Sequence, residues 1–158
     1  MIFSLYFFLS WLILYLMAFI KCISSFKHLS FLFLVLLLIH NHLYILIPEN
    51  WKGFTLSNKV NLYWAFLLYK TIIVPCSLVI IYKETSKKLE GAKLVFLSSF
   101  IFAVIMSLMD LLSHLLKVFQ YNWWNFYWSF FYFGGISSLT LCLLLMFGRL
   151  EDTKEYDC

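Results

Sequence analysis

The chain reads LVFLSSFIFAVIMSLMDLLSHLL from residue 94 to residue 116. As a helix, an apolar run of this length crosses about 30 Å of hydrocarbon. Within it, Asp110 and His114 lie one helical turn apart. An ionisable residue is costly at depth in lipid, so such a residue is a functional-site hypothesis by default. The stretch therefore predicts a membrane-spanning helix and shows where to look for function.

Four similar apolar runs cover most of the remaining chain. The composition is 63% hydrophobic and 13% charged, and the mean hydropathy is +0.88, far from the balance of a soluble domain. Each run has about 19 to 24 residues, which is enough for one bilayer crossing. We predict an all-α integral membrane protein whose fold is a five-helix transmembrane bundle. The predicted spans are residues 2–20, 29–47, 60–82, 94–116 and 124–147.

Short polar connections join these runs. Because short connections make consecutive helices antiparallel neighbours, we predict that residues 1–148 form a single transmembrane domain. The last ten residues, 149–158, are hydrophilic and are predicted to form a short polar cytoplasmic tail.

The distribution of Lys and Arg predicts the orientation, because positively charged short loops stay in the cytoplasm. One predicted face holds Lys21, Lys27, Lys83, Lys87, Lys88, Lys93, Arg149 and Lys154. The other face holds Lys52, Lys59 and Lys117. We therefore predict the N-terminus outside and the C-terminus inside. The net charge of +4 mostly reports this asymmetry, so it indicates no nucleic-acid partner, and contact with anionic lipid is enough to explain it.

A layer of polar residues is predicted in the outer half of the bundle. At 1.5 Å per residue, Lys70 and Asp110 both lie roughly 9 to 15 Å below the outer boundary. On the fourth span, small and polar residues recur at steps of three and four and therefore form one stripe along one face of the helix. That stripe consists of Ser99, Ala103, Ser107, Asp110, His114 and Lys117. The predicted layer consists of Lys70, Asp110, His114, His40, Asn125 and Ser129.

Three interpretations of this layer stay open. In the first, Lys70 and Asp110 neutralise each other and fix the helix register, with hydrogen bonds from His114 and Asn125. In the second, the layer is a relay or polar cavity that exchanges protons or ions. In the third, Asp110, His114 and His40 bind a metal ion, which a nearby ammonium group would oppose.

Other residues are assigned to packing and to the membrane interface. Pro75 removes a backbone hydrogen bond and is expected to kink the third span. Gly134 and Ser138 repeat at a four-residue spacing, which is typical of closely packed membrane helices. The aromatic segment before the last span contains predicted interface anchors, since amphipathic rings prefer the headgroup level. These anchors are Trp123, Trp124 and Trp128.

The segment from Tyr121 to Ser129 reads YNWWNFYWS. It resembles the Asn-Gly-Trp-Asn and Trp-Ser signature of the CBO-type uncharacterised five-helix membrane proteins of spore-forming Firmicutes. The likeness covers roughly the second half of the chain, where Trp123 stands for the usual Gly and Asp110 for the usual Glu. The matching residues are Pro75, Asp110, Asn122, Trp124, Asn125, Trp128 and Ser129. The resemblance implies a bacterial, multi-pass protein of the cell membrane with no established activity.

The sequence contains no phosphate-binding loop and no zinc-hydrolase or serine-hydrolase motif. We therefore expect no catalytic residues, no cofactor and no metal. The leading hypothesis is a non-enzymatic, oligomeric channel or transport component that passes protons, ions or small solutes through the polar layer. The alternative is a structural or accessory membrane subunit, with sporulation as one setting, and an intramembrane enzyme ranks last. The expected partners are the lipid bilayer and either further copies of the chain or another membrane protein.

Overall fold

The computed structural model describes residues 1–21, 26–49 and 51–155. In these ranges the backbone is mostly helical and forms five helices with two short strands between them. The helices are α1 (Ile2–Lys21), α2 (Phe26–Glu49), α3 (Val60–Ser86), α4 (Gly91–Leu115) and α5 (Phe126–Glu155). The strands are β1 (Phe54–Leu56) and β2 (Phe119–Tyr121). Each helix lies over one of the five predicted spans.

Three of the described helices are long and apolar enough to cross a membrane: α3, α4 and residues Phe126–Phe147 of α5. Shorter apolar segments occupy Ile2–Ala18 of α1 and Ser30–Tyr44 of α2. The predicted helical class is thus confirmed, and three helices have the length and composition to cross a membrane, whereas the five-span topology and its orientation stay predictions. Helix α5 continues to Glu155, so the backbone of the predicted tail is helical up to that residue.

Helix α3 changes its winding in the middle. Residues Tyr69–Ile73 form a π-helical turn, and the backbone N–H of Val74 bonds to the carbonyl of Tyr69. The cause lies one residue further on, because Pro75 has no N–H and its ring crowds the carbonyl of Thr71. A wider turn absorbs this disruption and lets the helix continue to Ser86. The predicted irregularity at Pro75 therefore takes the form of a π turn, and Pro75 itself is buried.

Helices α4 and α5 share the most extensive interface of the bundle. A Cβ atom added at Gly134 would lie 3.7 Å from the Cβ of Ala103, so the two helices approach closely at this point. Ser138, the second residue predicted for close packing, is half-buried. Hydroxyls on the same helix bond to carbonyls one turn earlier, Ser137 to Phe133 and Thr140 to Ile136, each at 2.7 Å.

The two strands join the loop before α3 to the loop before α5. They pair antiparallel, with Thr55 opposite Gln120. The carbonyl of Gly53 accepts the backbone N–H groups of Asn122 and Trp124 at 2.9 and 3.1 Å. We call this part of the bundle the sheet end. These strands were not predicted, because three residues are too few for a recognisable alternation.

Candidate functional site

Asp110 lies at the centre of a hydrogen-bonded layer inside the bundle. Its side chain is fully buried. Oδ1 accepts the hydroxyls of Tyr44 on α2 at 3.0 Å and of Tyr69 on α3 at 2.7 Å. Oδ2 accepts the hydroxyl of Ser129 on α5 at 2.7 Å. One carboxyl group on α4 is therefore bound from three other helices.

Ser129 connects this carboxyl group to an indole. The Nε1 of Trp124 donates to the Ser129 hydroxyl at 2.8 Å. An indole N–H can only donate, so the proton of the Ser129 hydroxyl is left for Asp110. Trp124 was predicted as an interface anchor but is 5% exposed and belongs to the buried layer. Trp123 and Trp128 are about half exposed, at 47% and 52%, as suits interface residues.

Helix α1 joins the layer through Tyr6, whose hydroxyl is hydrogen-bonded to that of Ser113 on α4. The Ser113 hydroxyl also donates to the carbonyl of Met109 at 2.7 Å. Because a hydroxyl carries one proton, Tyr6 is the donor in the contact with Ser113. The Tyr6 ring also meets the Tyr69 ring edge-on, with 6.4 Å between their centroids. All five helices therefore contribute a side chain to the layer.

His40 and Lys70 form a second buried group beside Asp110. Nδ1 of His40 lies 3.0 Å from the hydroxyl of Tyr132 on α5, and the ring of Tyr44 is 4.7 Å from the imidazole. Nε2 of His40 is buried and has no hydrogen-bond partner among the described residues. Lys70 is 6% exposed, and its Nζ lies 5.8 Å from the centre of the Phe66 ring.

Aromatic rings cover the layer on the side of the sheet end. Phe54 and Phe119, one from each strand, are buried with 4.9 Å between their ring centroids. Phe54 in turn lies 5.3 Å from the ring of Tyr44. This cover keeps water from the Asp110 carboxyl group, and hydrogen bonds are stronger electrostatically where the local dielectric constant is low.

Two residues predicted for the layer make other contacts. His114 is half-buried, stacks on Tyr121 at 4.4 Å and accepts its backbone N–H at Nδ1, at 3.3 Å. Asn125 is exposed, and its side-chain oxygen accepts the N–H of Trp128 at 3.2 Å, which caps the start of α5. The expectation that both residues complete the shell of Asp110 is therefore wrong. The hydroxyls of Tyr44, Tyr69 and Ser129 donate hydrogen bonds to Asp110.

The metal hypothesis also fails for the part of the chain that the structure describes. No three His, Cys, Asp or Glu side chains gather there in a way that could hold a metal ion. Asp110 accepts a hydrogen bond from the hydroxyl of Tyr69, and Nδ1 of His114 accepts one from the backbone N–H of Tyr121. Nδ1 of His40 is hydrogen-bonded to the hydroxyl of Tyr132.

Sequence reasoning missed the tyrosines Tyr6, Tyr44 and Tyr69. Two signals were present, because Tyr44 follows His40 by one helical turn and Tyr69 precedes Lys70. Tyrosine is common at membrane interfaces, however, so its hydroxyl is easily assigned to the headgroup level. A fourth phenol, Tyr121 of β2, also lies within the field of the carboxyl group. Burial, and then the negative charge of Asp110, raise the pKa of Tyr121 above its ordinary value.

Comparison with known proteins gives no relative. No protein-family model, curated protein or solved structure matches the chain. The resemblance to the five-helix family of spore formers stays a prediction.

Proposed function

We propose that all five helices cross the cell membrane, with the N-terminus outside and the C-terminus inside. Lysines support this orientation. Lys87, Lys88 and Lys93 are exposed around the connection between α3 and α4, at the end of the bundle opposite β1 and β2. The pairing of β1 with β2 agrees with alternating crossings, because such crossings bring the loop before α3 and the loop before α5 to the same side of the membrane.

Impermeant maleimide labelling tests the orientation. In intact cells we expect a cysteine at Trp51 in the loop before β1 to react, and a cysteine at Lys88 to react only after the membrane is opened. The reverse pattern would overturn the orientation.

We infer that the chain is a non-enzymatic structural or accessory subunit of a membrane assembly and that the Asp110 layer locks its five helices in one register. The observation that carries this proposal is that hydroxyls from three other helices bind the buried carboxyl group of Asp110. Both oxygens are bound by protein hydroxyls in a fully buried position. A group that exchanges protons or ions needs access to a mobile partner, whereas a group that fixes packing needs what Asp110 has, satisfied bonds to its neighbours.

Each hydrogen bond of the Asp110 layer contributes a moderate free energy, and all of them together contribute a large one. A hydrogen bond between membrane helices contributes about 0.6 kcal/mol on average and up to about 1.7 kcal/mol. Removing the carboxyl group would leave three buried hydroxyls without their acceptor, and each orphaned group costs about 1 to 3 kcal/mol. The layer therefore favours one arrangement of the helices over slipped alternatives.

A proton relay is the second candidate, and one observation favours it. His40 is fully buried, and its Nε2 has no hydrogen-bond partner among the described residues. An imidazole with a free nitrogen can accept a proton from a mobile donor. In this candidate His40 and Tyr132 exchange protons, while Asp110 keeps its structural role.

Proton flux in liposomes separates the two proposals. The purified chain is reconstituted, a potassium diffusion potential is applied, and an enclosed pH dye reports proton entry. The accessory role predicts the same rate as in empty liposomes. A rate above that background which His40→Phe abolishes, with Tyr127→Phe as the exposed control, would overturn the accessory role and establish the relay. Native mass spectrometry from mild detergent then reports whether copies of the chain associate.

A further inference from the structure

Two cavities adjoin at the sheet end. The first has a volume of about 330 Å³, and polar side chains of both loops line it, including Ser57, Lys59, Lys117 and Gln120. The second has a volume of about 690 Å³ and lies between the beginnings of α1 and α3. Asn58, Lys59 and Leu62 line both cavities. The two cavities therefore lie side by side and share these three residues as part of their walls.

The first cavity is positively charged. Lys59 follows β1 and Lys117 precedes β2, and the pairing of the two strands brings both lysines to the lining of this cavity. Among the described residues that line the two cavities, none is acidic. Lysine ammonium groups bind phosphate as point charges, and neutral side chains such as Gln120 add hydrogen-bond donors.

Five of the eight residues that line the second cavity are apolar, and the other three are Asn58, Lys59 and Asn61. Met1, Ile2 and Phe3 line it from α1, and Val60 and Leu62 line it from α3. The long apolar helix α3 begins at Val60. The junction of the two cavities thus lies where hydrocarbon gives way to headgroups, with the charged cavity on the headgroup side.

We propose that the two cavities form one site for an anionic glycerophospholipid. The phosphate lies between Lys59 and Lys117, and one acyl chain follows the groove along Phe3 and Val60. Two features favour this ligand. The lysines of the first cavity complement the charge of a phosphate, and the apolar residues of the second cavity lie beside it at the start of α3. The site is separate from the Asp110 layer, so it does not depend on the structural or relay role of that layer.

Native mass spectrometry of the delipidated full chain in mild detergent measures the affinity for three probes. These are long-chain phosphatidylglycerol, phosphatidylcholine of the same chain length, and inorganic phosphate. The test variant is Lys59→Gln with Lys117→Asn, because Asn tolerates the positive φ of 59° at Lys117. The matched control is Lys87→Gln with Lys88→Gln, two exposed lysines at the opposite end.

We expect the wild-type chain to retain one phosphatidylglycerol and to bind it about tenfold more tightly than phosphatidylcholine. The Lys59 and Lys117 variant should lose this preference, and the Lys87 and Lys88 variant should keep it. Equal loss in both variants would overturn the proposal in favour of a diffuse charge effect. Binding of inorganic phosphate as tight as that of the lipid would overturn it in favour of a soluble anion. A melting temperature of each variant within a few degrees of the wild type shows that the fold is kept.

Discussion

The hydroxyl of Tyr69 donates a 2.7 Å hydrogen bond to Oδ1 of Asp110, across the interface between α3 and α4. Tyr69 is the first residue of the π turn that precedes Pro75. The wider turn changes which residues of α3 face the interior, because each extra residue rotates the following residues by about 100° relative to the preceding ones. The irregularity in α3 and the hydroxyl at the carboxyl group therefore belong to one structural feature.

Tyr69→Phe isolates that hydrogen bond, because it keeps the ring and removes the hydroxyl. We expect a loss of about 1 to 2 kcal/mol in the free energy of unfolding, measured by denaturant titration in mixed micelles. Tyr63→Phe is the control, since Tyr63 is on the same helix and 46% exposed. Equal effects of the two substitutions would show that the contact with Asp110 contributes nothing specific.

Asp110→Leu should cost more, about 3 to 5 kcal/mol, because it leaves three buried hydroxyls without an acceptor. If those hydroxyls are the cause, Tyr44→Phe and Tyr69→Phe added to Asp110→Leu should recover part of the loss. The coupling free energy from the corresponding mutant cycle is expected to be about 1 to 3 kcal/mol. Strict additivity of the three substitutions would contradict the lock.

The approximate positions of the helices followed from the sequence, but the end of α5 at Glu155 and the partners of Asp110 did not. Continuous apolar runs report directly how much chain lies in hydrocarbon, so α1 to α5 lie over the predicted spans. Asp110 and Ser129 were placed in one layer because each interrupts an apolar run. A sequence pattern indicates the depth of a residue along its helix. It does not show which neighbouring helix the side chain faces.

The surroundings of Asp110 and Lys70 show the limit most clearly. Opposite charges at the same depth suggested a pair, and the depth alone did not indicate the hydroxyls that bind Asp110 or the Phe66 ring beside Lys70. The π turn is one reason, because it changes the rotation of the residues around Lys70 and cannot be counted from an assumed 3.6 residues per turn. Asn125 was misplaced for a different reason, since α5 starts at Phe126, two residues after the predicted start, and uses Asn125 as its cap.

Lys117→Gly is expected to stabilise the protein by roughly 0.5 to 1 kcal/mol. Helix α4 ends in a turn whose hydrogen bonds run from Lys117 to His114 and from Val118 to Ser113, the pattern that places a left-handed residue after the helix. Lys117 holds that position with a φ of 59°, which glycine adopts without strain. The melting temperature measures the gain, and Lys59→Gly, at a residue with an extended backbone, should lower it instead. A fall with Lys117→Gly would contradict the strain argument.

Alkaline pH should weaken the sheet end through Tyr121. Burial and the charge of Asp110 raise the pKa of this phenol above its ordinary value of 10.0, so the folded protein holds the proton more tightly than the unfolded chain does. The folded state then binds more protons above about pH 10, and stability must fall as the pH rises from there, while it is unaffected below that value.

Tyr121→Phe keeps the ring that stacks on His114 and removes the titrating hydroxyl. We expect the variant to lose less stability than the wild type between about pH 10 and pH 11.5, and Tyr127→Phe, whose side chain is 72% exposed, to behave like the wild type. Identical pH profiles for all three proteins would show that the Tyr121 phenol titrates as it does in water and is not held neutral beside Asp110.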